Sequence, residues 1–155
     1  MKMRKWLENW DLTKLSVKVG FLEMEWEPKE PDREAAWELY VELITRVATQ
    51  PLALTEGNEA SALESVYSMF PTTREILRRK GREAVEFAKI AVVVLNQVVR
   101  PFTAKWHKLA LAGKSEGQLD LKVFREELAA LQQDLRRYAA LLAEVAGVED
   151  IRQHM

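Results

Sequence analysis

"LKVFREELAALQQDLRRYAALLAEVAG", residues 121–147, decides the fold class. Leu121, Phe124, Leu128, Leu131, Leu135, Tyr138, Leu142 and Val145 recur at spacings of three and four without a miss, so they lie on one stripe of an α-helix. A stripe this narrow packs against partner helices at a shallow angle. Asp120 is placed to cap the helix and Gly147 to end it. Spacing alone leaves open whether the partner helix belongs to this chain or to another copy. Three further helical segments lie upstream, and they make an intramolecular bundle the expected arrangement.

The first of these is "PDREAAWELYVELITRVATQP", residues 31–51, with Asp32 as the expected N-cap, acidic residues in the first turn and a stop at Gln50-Pro51. After a loop at 52–58, a helix over 59–70 is expected to bury Ala62, Leu63, Val66, Tyr67 and Phe70. Pro71 breaks it or starts a turn, Thr72 is placed to cap, and a short helix carries Ile76 and Leu77 to Gly81. The longest segment runs from 82 to 112 with Pro101 inside it, and "GKSEGQ" at 113–118 reads as a loop.

One stretch reads as strand. In "LSVKVGFLEMEWE", residues 15–27, Leu15, Val17, Val19 and Phe21 alternate, then Leu22, Met24 and Trp26 alternate in the opposite phase. The slip beside Gly20 fits either a bulge in one strand or a tight turn between two. A lone hairpin is marginal in water and must pack on helices or pair with a second copy. The predicted fold is therefore mainly α: a four-helix-bundle-like domain with a short N-terminal β-strand or hairpin and a Pro-kinked central helix. It is expected to form a single domain over 1–155, with an N-terminal segment at 1–30, the bundle at 31–147 and a tail at 148–155.

Composition narrows the function. The chain has 155 residues, 48% hydrophobic and 30% charged, enough for a core without metal or disulfide staples. A formal net charge of −1 gives no overall pull toward nucleic acid or an anionic membrane, and the absence of cysteine excludes thiolate metal sites and cysteine nucleophiles. The amino terminus is basic but has no apolar h-region, and the longest apolar run, "IAVVVL" at 90–95, is too short to span a bilayer. A soluble cytoplasmic protein without membrane insertion is expected. No serine lies in a nucleophile elbow and no glycine-rich phosphate loop is present. His107 and His154 are the only histidines, and Glu23, Glu25 and Glu27 lie outside any EF-hand pattern, so neither a metal nor a cofactor is expected.

On a helical wheel, Val85, Ala88, Val92, Leu95, Val99, Phe102, Trp106 and Leu109 form one apolar row of the long helix. A second row comprises Arg82, Glu86, Lys89, Val93, Asn96, Arg100, Thr103 and His107, polar at every position but Val93. Pro101 lacks an N–H and its ring clashes with the carbonyl four residues back, which predicts a kink that frees the Gln97 carbonyl. The polar row is either the wet side of a bent helix or the lining of a cleft. The amides of Asn96 and Gln97, set in a run otherwise fit for a core, and the cations Arg100, Lys105 and Lys108 around His107 support the cleft. Positive neighbours favour the neutral imidazole that a general base needs. The candidate ligand-binding set is Asn96, Arg100, Thr103, Lys105, His107 and Lys108.

Arginine, four to six residues, then histidine, within an all-helical chain, resembles the active-site motif of the HEPN family of bacterial ribonucleases. The match here is Arg100 and His107, with Pro101 where the family commonly has a small polar residue. The resemblance implies a metal-independent ribonuclease in which copies of the motif pair across a dimer interface. His107 would be the acid/base group and Arg100 the phosphate clamp.

The charges are unevenly spread. Residues 22–42 carry eight acidic side chains against Lys29 and Arg33, a balance of −6. Residues 74–108 carry nine basic ones (Arg74, Arg78, Arg79, Lys80, Arg82, Lys89, Arg100, Lys105, Lys108) against Glu75, Glu83 and Glu86, a balance of +6. Either the two regions face each other or are solvated apart, or the basic one serves a phosphate-bearing ligand, RNA or a nucleotide. Tyr67 or Trp106 would then be the aromatic platform for a base, although Trp106 falls on the apolar row. Trp6 and Trp10 share a helical face and suit docking on the bundle or a second subunit. These features define three functional expectations: a non-enzymatic binding or regulatory module, homo-oligomeric or bound to a partner protein; a HEPN-like ribonuclease; and a structural interaction subunit.

Overall fold

The computed structural model describes residues 2–9, 22–46, 59–111 and 121–151. Among them the chain is mainly helical and holds no strand. The elements are α1 (Met3–Asn9), α2 (Glu30–Ile44), α3 (Glu59–Tyr67), α4 (Met69–Lys80), a 3-10 turn (Gly81–Ala84), α5 (Val85–Val94), a π-helical turn (Leu95–Val99), α6 (Arg100–Leu111) and α7 (Leu121–Ala146).

The stripe on α7 packs within the chain. All of its members are buried except Leu121, which is 39% exposed, and the most extensive helix–helix contact among the described residues joins α7 to α2. The buried residues of α2 are Asp32, Ala35, Ala36, Leu39, Tyr40, Leu43 and Ile44, again at spacings of three and four. At the end of α7, Gly147 takes φ +77°, a conformation that side-chain-bearing residues avoid. The Val148 N–H then returns to the Ala143 carbonyl at 3.0 Å, which satisfies an orphan acceptor of the last turn. The Tyr40 hydroxyl donates to Asp150 and accepts the Ile151 N–H, both at 2.7 Å, and so pins the following segment onto α2.

Several expectations are corrected. Asp32 is not the N-cap of α2. The helix begins at Glu30, and Asp32, in its first turn, accepts the Lys29 N–H at 2.8 Å and the Phe87 N–H at 2.8 Å, tying the starts of α2 and α5 together. Thr72 and Pro71 lie inside α4, and Thr72 Oγ1 accepts from Arg46 at 3.1 Å. Tyr67 is 46% exposed rather than buried. Of the expected strand at 15–27, residues 15–21 lie outside the described residues, as do Asp120 and the 113–118 loop. Residues 22–27 contribute only an isolated antiparallel bridge between Lys2 and Glu25. There Trp26 is buried, meets Trp6 edge-on at 4.3 Å, and donates its indole N–H to the Glu86 carbonyl at 2.8 Å. Trp6 therefore docks within the chain.

The expected kink at Pro101 is also replaced. The helix passes the proline through the π turn at 95–99, where the Arg100 N–H bonds the Leu95 carbonyl five residues back. A π turn inserts one residue, and one residue is about 100° of helical rotation. The buried row of α5 is accordingly Phe87, Ile90, Ala91 and Val94, continuing into Val99, Phe102 and Trp106. Val85 (51%) and Val92 (45%) face solvent, Ala88 is half-buried, and Asn96 and Gln97 are exposed rather than buried. The helical run 59–109 contains one stretch long and apolar enough to match a membrane span by length and composition, and 44% of that stretch is buried in the protein; a core helix meets the same criterion.

Candidate functional site

α6 has three occupied sides. Its inner side is an aromatic cluster in which Trp106 meets Phe124 edge-on at 5.0 Å and Phe102 meets Phe124 at 5.5 Å. Trp106 is therefore core and not a stacking platform. Thr103 also turns inward and its hydroxyl is spent on its own helix, 3.2 Å from the Arg100 carbonyl and 3.4 Å from that of Val99.

The second side faces α7. Lys105 pairs with Glu127, whose other oxygen accepts the Trp106 indole N–H at 2.8 Å. The hydrogen bond from Lys105 holds the Glu127 carboxyl below its ordinary value; burial opposes this and the Trp106 N–H adds to it. Beside this pair runs an open groove of about 320 Å³ lined by Val98, Pro101, Phe102, Ala130, Leu131 and Asp134. Neither Arg100 nor His107 lines it.

The third side faces α3 and the start of α4, and it holds the two residues of the arginine–histidine pattern. The Arg100 guanidinium carbon sits 4.8 Å above the Phe70 ring, while Nε donates to Asn96 Oδ1 at 3.1 Å across the π turn. His107, two turns on, meets the Tyr67 ring edge-on at 5.0 Å, and Tyr67 and Phe70 are themselves 5.6 Å apart. Arg100 and His107 thus rest on adjoining aromatic rings of one surface. Lys108 is exposed next to His107, and Arg74 is exposed one turn beyond Phe70; neither has an ion-pair partner among the described residues. Arg100 likewise has no carboxylate partner among them, so its outer nitrogens are available to an anion.

The six expected ligand residues therefore divide. Asn96, Arg100 and His107 come together with Lys108 at their edge, whereas Lys105 is engaged by Glu127 on another side and Thr103 is buried. Of the floor of the site, Tyr67 was expected as an aromatic platform and Phe70 only as a core residue. The floor's only sequence signal is a pair of aromatics at i and i+3, which equally suits a buried helix face.

The charge asymmetry is partly internal. Arg79 pairs with Glu38 and Lys80 with Glu34, both at 2.7 Å, so α4 and α2 neutralise one another across their contact. Lys89 pairs with Glu86 at 2.7 Å. Among the described residues no group of three or more His, Asp or Glu side chains is arranged to hold a metal ion. Comparison of the chain with protein-family models, with curated proteins and with solved structures finds no match.

Proposed function

We propose that this chain is a cytoplasmic, self-associating binding module of the four-helix-bundle type, whose α6 surface takes a phosphate-bearing ligand with an aromatic base, single-stranded RNA or a nucleotide. One observation carries the reading: Arg100 is held in place by Phe70 and Asn96 with its outer nitrogens uncommitted, beside an exposed Tyr67 ring. A guanidinium fixed at its base and open at its tip binds phosphate with little ordering cost, and the Tyr67 face offers a stacking surface. Arg74 and Lys108 are exposed cations close in sequence to Phe70 and His107 and would add positive charge for the phosphates of a strand. The apolar stretch of the long helix is read as core, in keeping with its contact to α2.

A second reading is the HEPN-like ribonuclease. It is favoured by the placement of His107 and Arg100 on one surface, as a general acid/base and a phosphate clamp require. The test of the first reading is a fluorescence-anisotropy titration of labelled single-stranded RNA. Arg100→Ala and Tyr67→Ala are each expected to weaken binding by roughly tenfold, the loss of a charged hydrogen bond or a stacked base. Lys105→Ala should leave affinity within about twofold, because that lysine belongs to another side of α6. Equal affinity of Arg100→Ala and the parent chain overturns the proposal.

A further inference from the structure

The sequence of α5 is apolar on two faces. Phe87, Ile90, Ala91 and Val94 are the buried face. Val85 and Val92, both exposed, and the half-buried Ala88 form a second row, in three-four register with Leu95 and Val99 at the two ends of the π turn and with Phe102 and Trp106 beyond it. Only the extra residue of that turn keeps the two rows apart. Were residues 85–111 a continuous α-helix, α5 would rotate by about 100° relative to α6. Val85, Ala88 and Val92 would then enter the core, and Ile90 and Val94 would leave it.

We propose that α5 is a two-register helix, with the π turn at 95–99 as the joint that selects between them. Three features hold the observed register. The inward residues Phe87 and Ile90 are larger than the Val85 and Ala88 that would replace them, while Val94 exchanges for Val92 at no change in size. Pro101 disfavours a regular turn, since an α-helix through it would drive its ring into the Gln97 carbonyl. The Asn96–Arg100 hydrogen bond spans the turn and latches it. The second register keeps the backbone bonds within α5 but gives up the Phe87–Asp32 and Trp26–Glu86 hydrogen bonds along with the difference in burial, so it is the minor state and the observed register the major one. No other helix among the described residues carries an exposed apolar row continuous with its neighbour's buried one.

The chain contains no cysteine, so single thiols can report each face. Val94→Cys and Ala143→Cys are both at positions 1% exposed, the first on α5 and the second on α7. The proposal expects maleimide to label Cys at 94 roughly tenfold or more faster than Cys at 143 in native buffer, since only global unfolding exposes the latter. Adding Pro101→Ala makes the continuous helix accessible, so it should speed labelling at 94 and slow labelling of a thiol introduced by Val92→Cys. Simple melting of α5 predicts the opposite, because removing a proline strengthens the helix and protects position 94. Hydrogen exchange on the chain without introduced thiols gives a second reading: the amides of 90–94 stay protected in a rotation and lose protection in melting. Equal labelling at 94 and 143, a Pro101→Ala chain that labels no faster at 94, or loss of protection at 90–94 would each overturn the proposal.

Discussion

Removing the Asp32 carboxylate should release two helices at once. Asp32 is 0% exposed, and its two oxygens each accept a backbone N–H at 2.8 Å, one from Lys29 at the start of α2 and one from Phe87 in the first turn of α5, 55 residues away. Both donors belong to helix starts, where N–H groups have no partner inside their own helix. In Asp32→Ala the Phe87 N–H is left buried and unpaired, at a cost of about 1–3 kcal/mol, while the partly accessible Lys29 N–H regains water and costs about 1 kcal/mol. The gain in helix propensity from alanine offsets only about 0.5 kcal/mol. The net loss is therefore about 1.5–3.5 kcal/mol. With a urea m-value of about 2 kcal/mol/M, the midpoint should fall by about 1–2 M. Asp32→Asn keeps one acceptor and should fall between the two. An unchanged midpoint in Asp32→Ala, or an asparagine variant as stable as the parent, would show that the two N–H groups have other partners and would refute the double cap.

Two further outcomes follow from buried polar atoms. The Tyr138 hydroxyl is fully buried on α7 without a hydrogen-bond partner among the described residues, and burial pushes its ionisation far above the ordinary value of 10.0. Tyr138→Phe removes an orphan donor at nearly constant volume, so its urea midpoint should match or exceed that of the parent. The Glu127 carboxyl is held below its ordinary value of 4.5, so its contribution is present above that value and is lost as pH falls through the folded value. Glu127→Gln should cost about 0–1 kcal/mol at neutral pH, given the exposure of the pair, and its stability should converge on the parent's as pH falls below the ordinary carboxyl value. A gap that widens on acidification would contradict that sign.

The sequence was most legible where one helical period ran without interruption. The α7 stripe was readable at every position but Leu121 because 26 residues keep one phase and their partner α2 has the same period. The long helix was misread in its first half for a definite reason. A wheel assumes a constant rise and rotation, and the π turn at 95–99 inserts one residue, so every assignment upstream of it moves by one position. Downstream, where the helix is regular, the shared face of Arg100 and His107 was correctly inferred. Lys105 lies five residues from Arg100, about 140° around the helix, so grouping it with that face ran against its own spacing. Asp32 was misassigned because its second partner, Phe87, is distant in sequence, and local cap rules do not see such a bond. Tyr67 was legible as a candidate platform, but Phe70 beneath Arg100 was not, for the same reason: its contact exists only after the start of α4 and α6 are brought together.

The most direct test of the Arg100–His107 surface is one preparation of labelled single-stranded RNA, incubated with the parent chain, Arg100→Ala and His107→Ala and split between native and denaturing gels. The binding module predicts RNA that is retarded and intact, with retardation weakened by Arg100→Ala. Cleavage by the parent chain that both substitutions abolish would replace it with the ribonuclease. RNA that neither shifts nor shortens would contradict both and leave that surface without a nucleic-acid ligand.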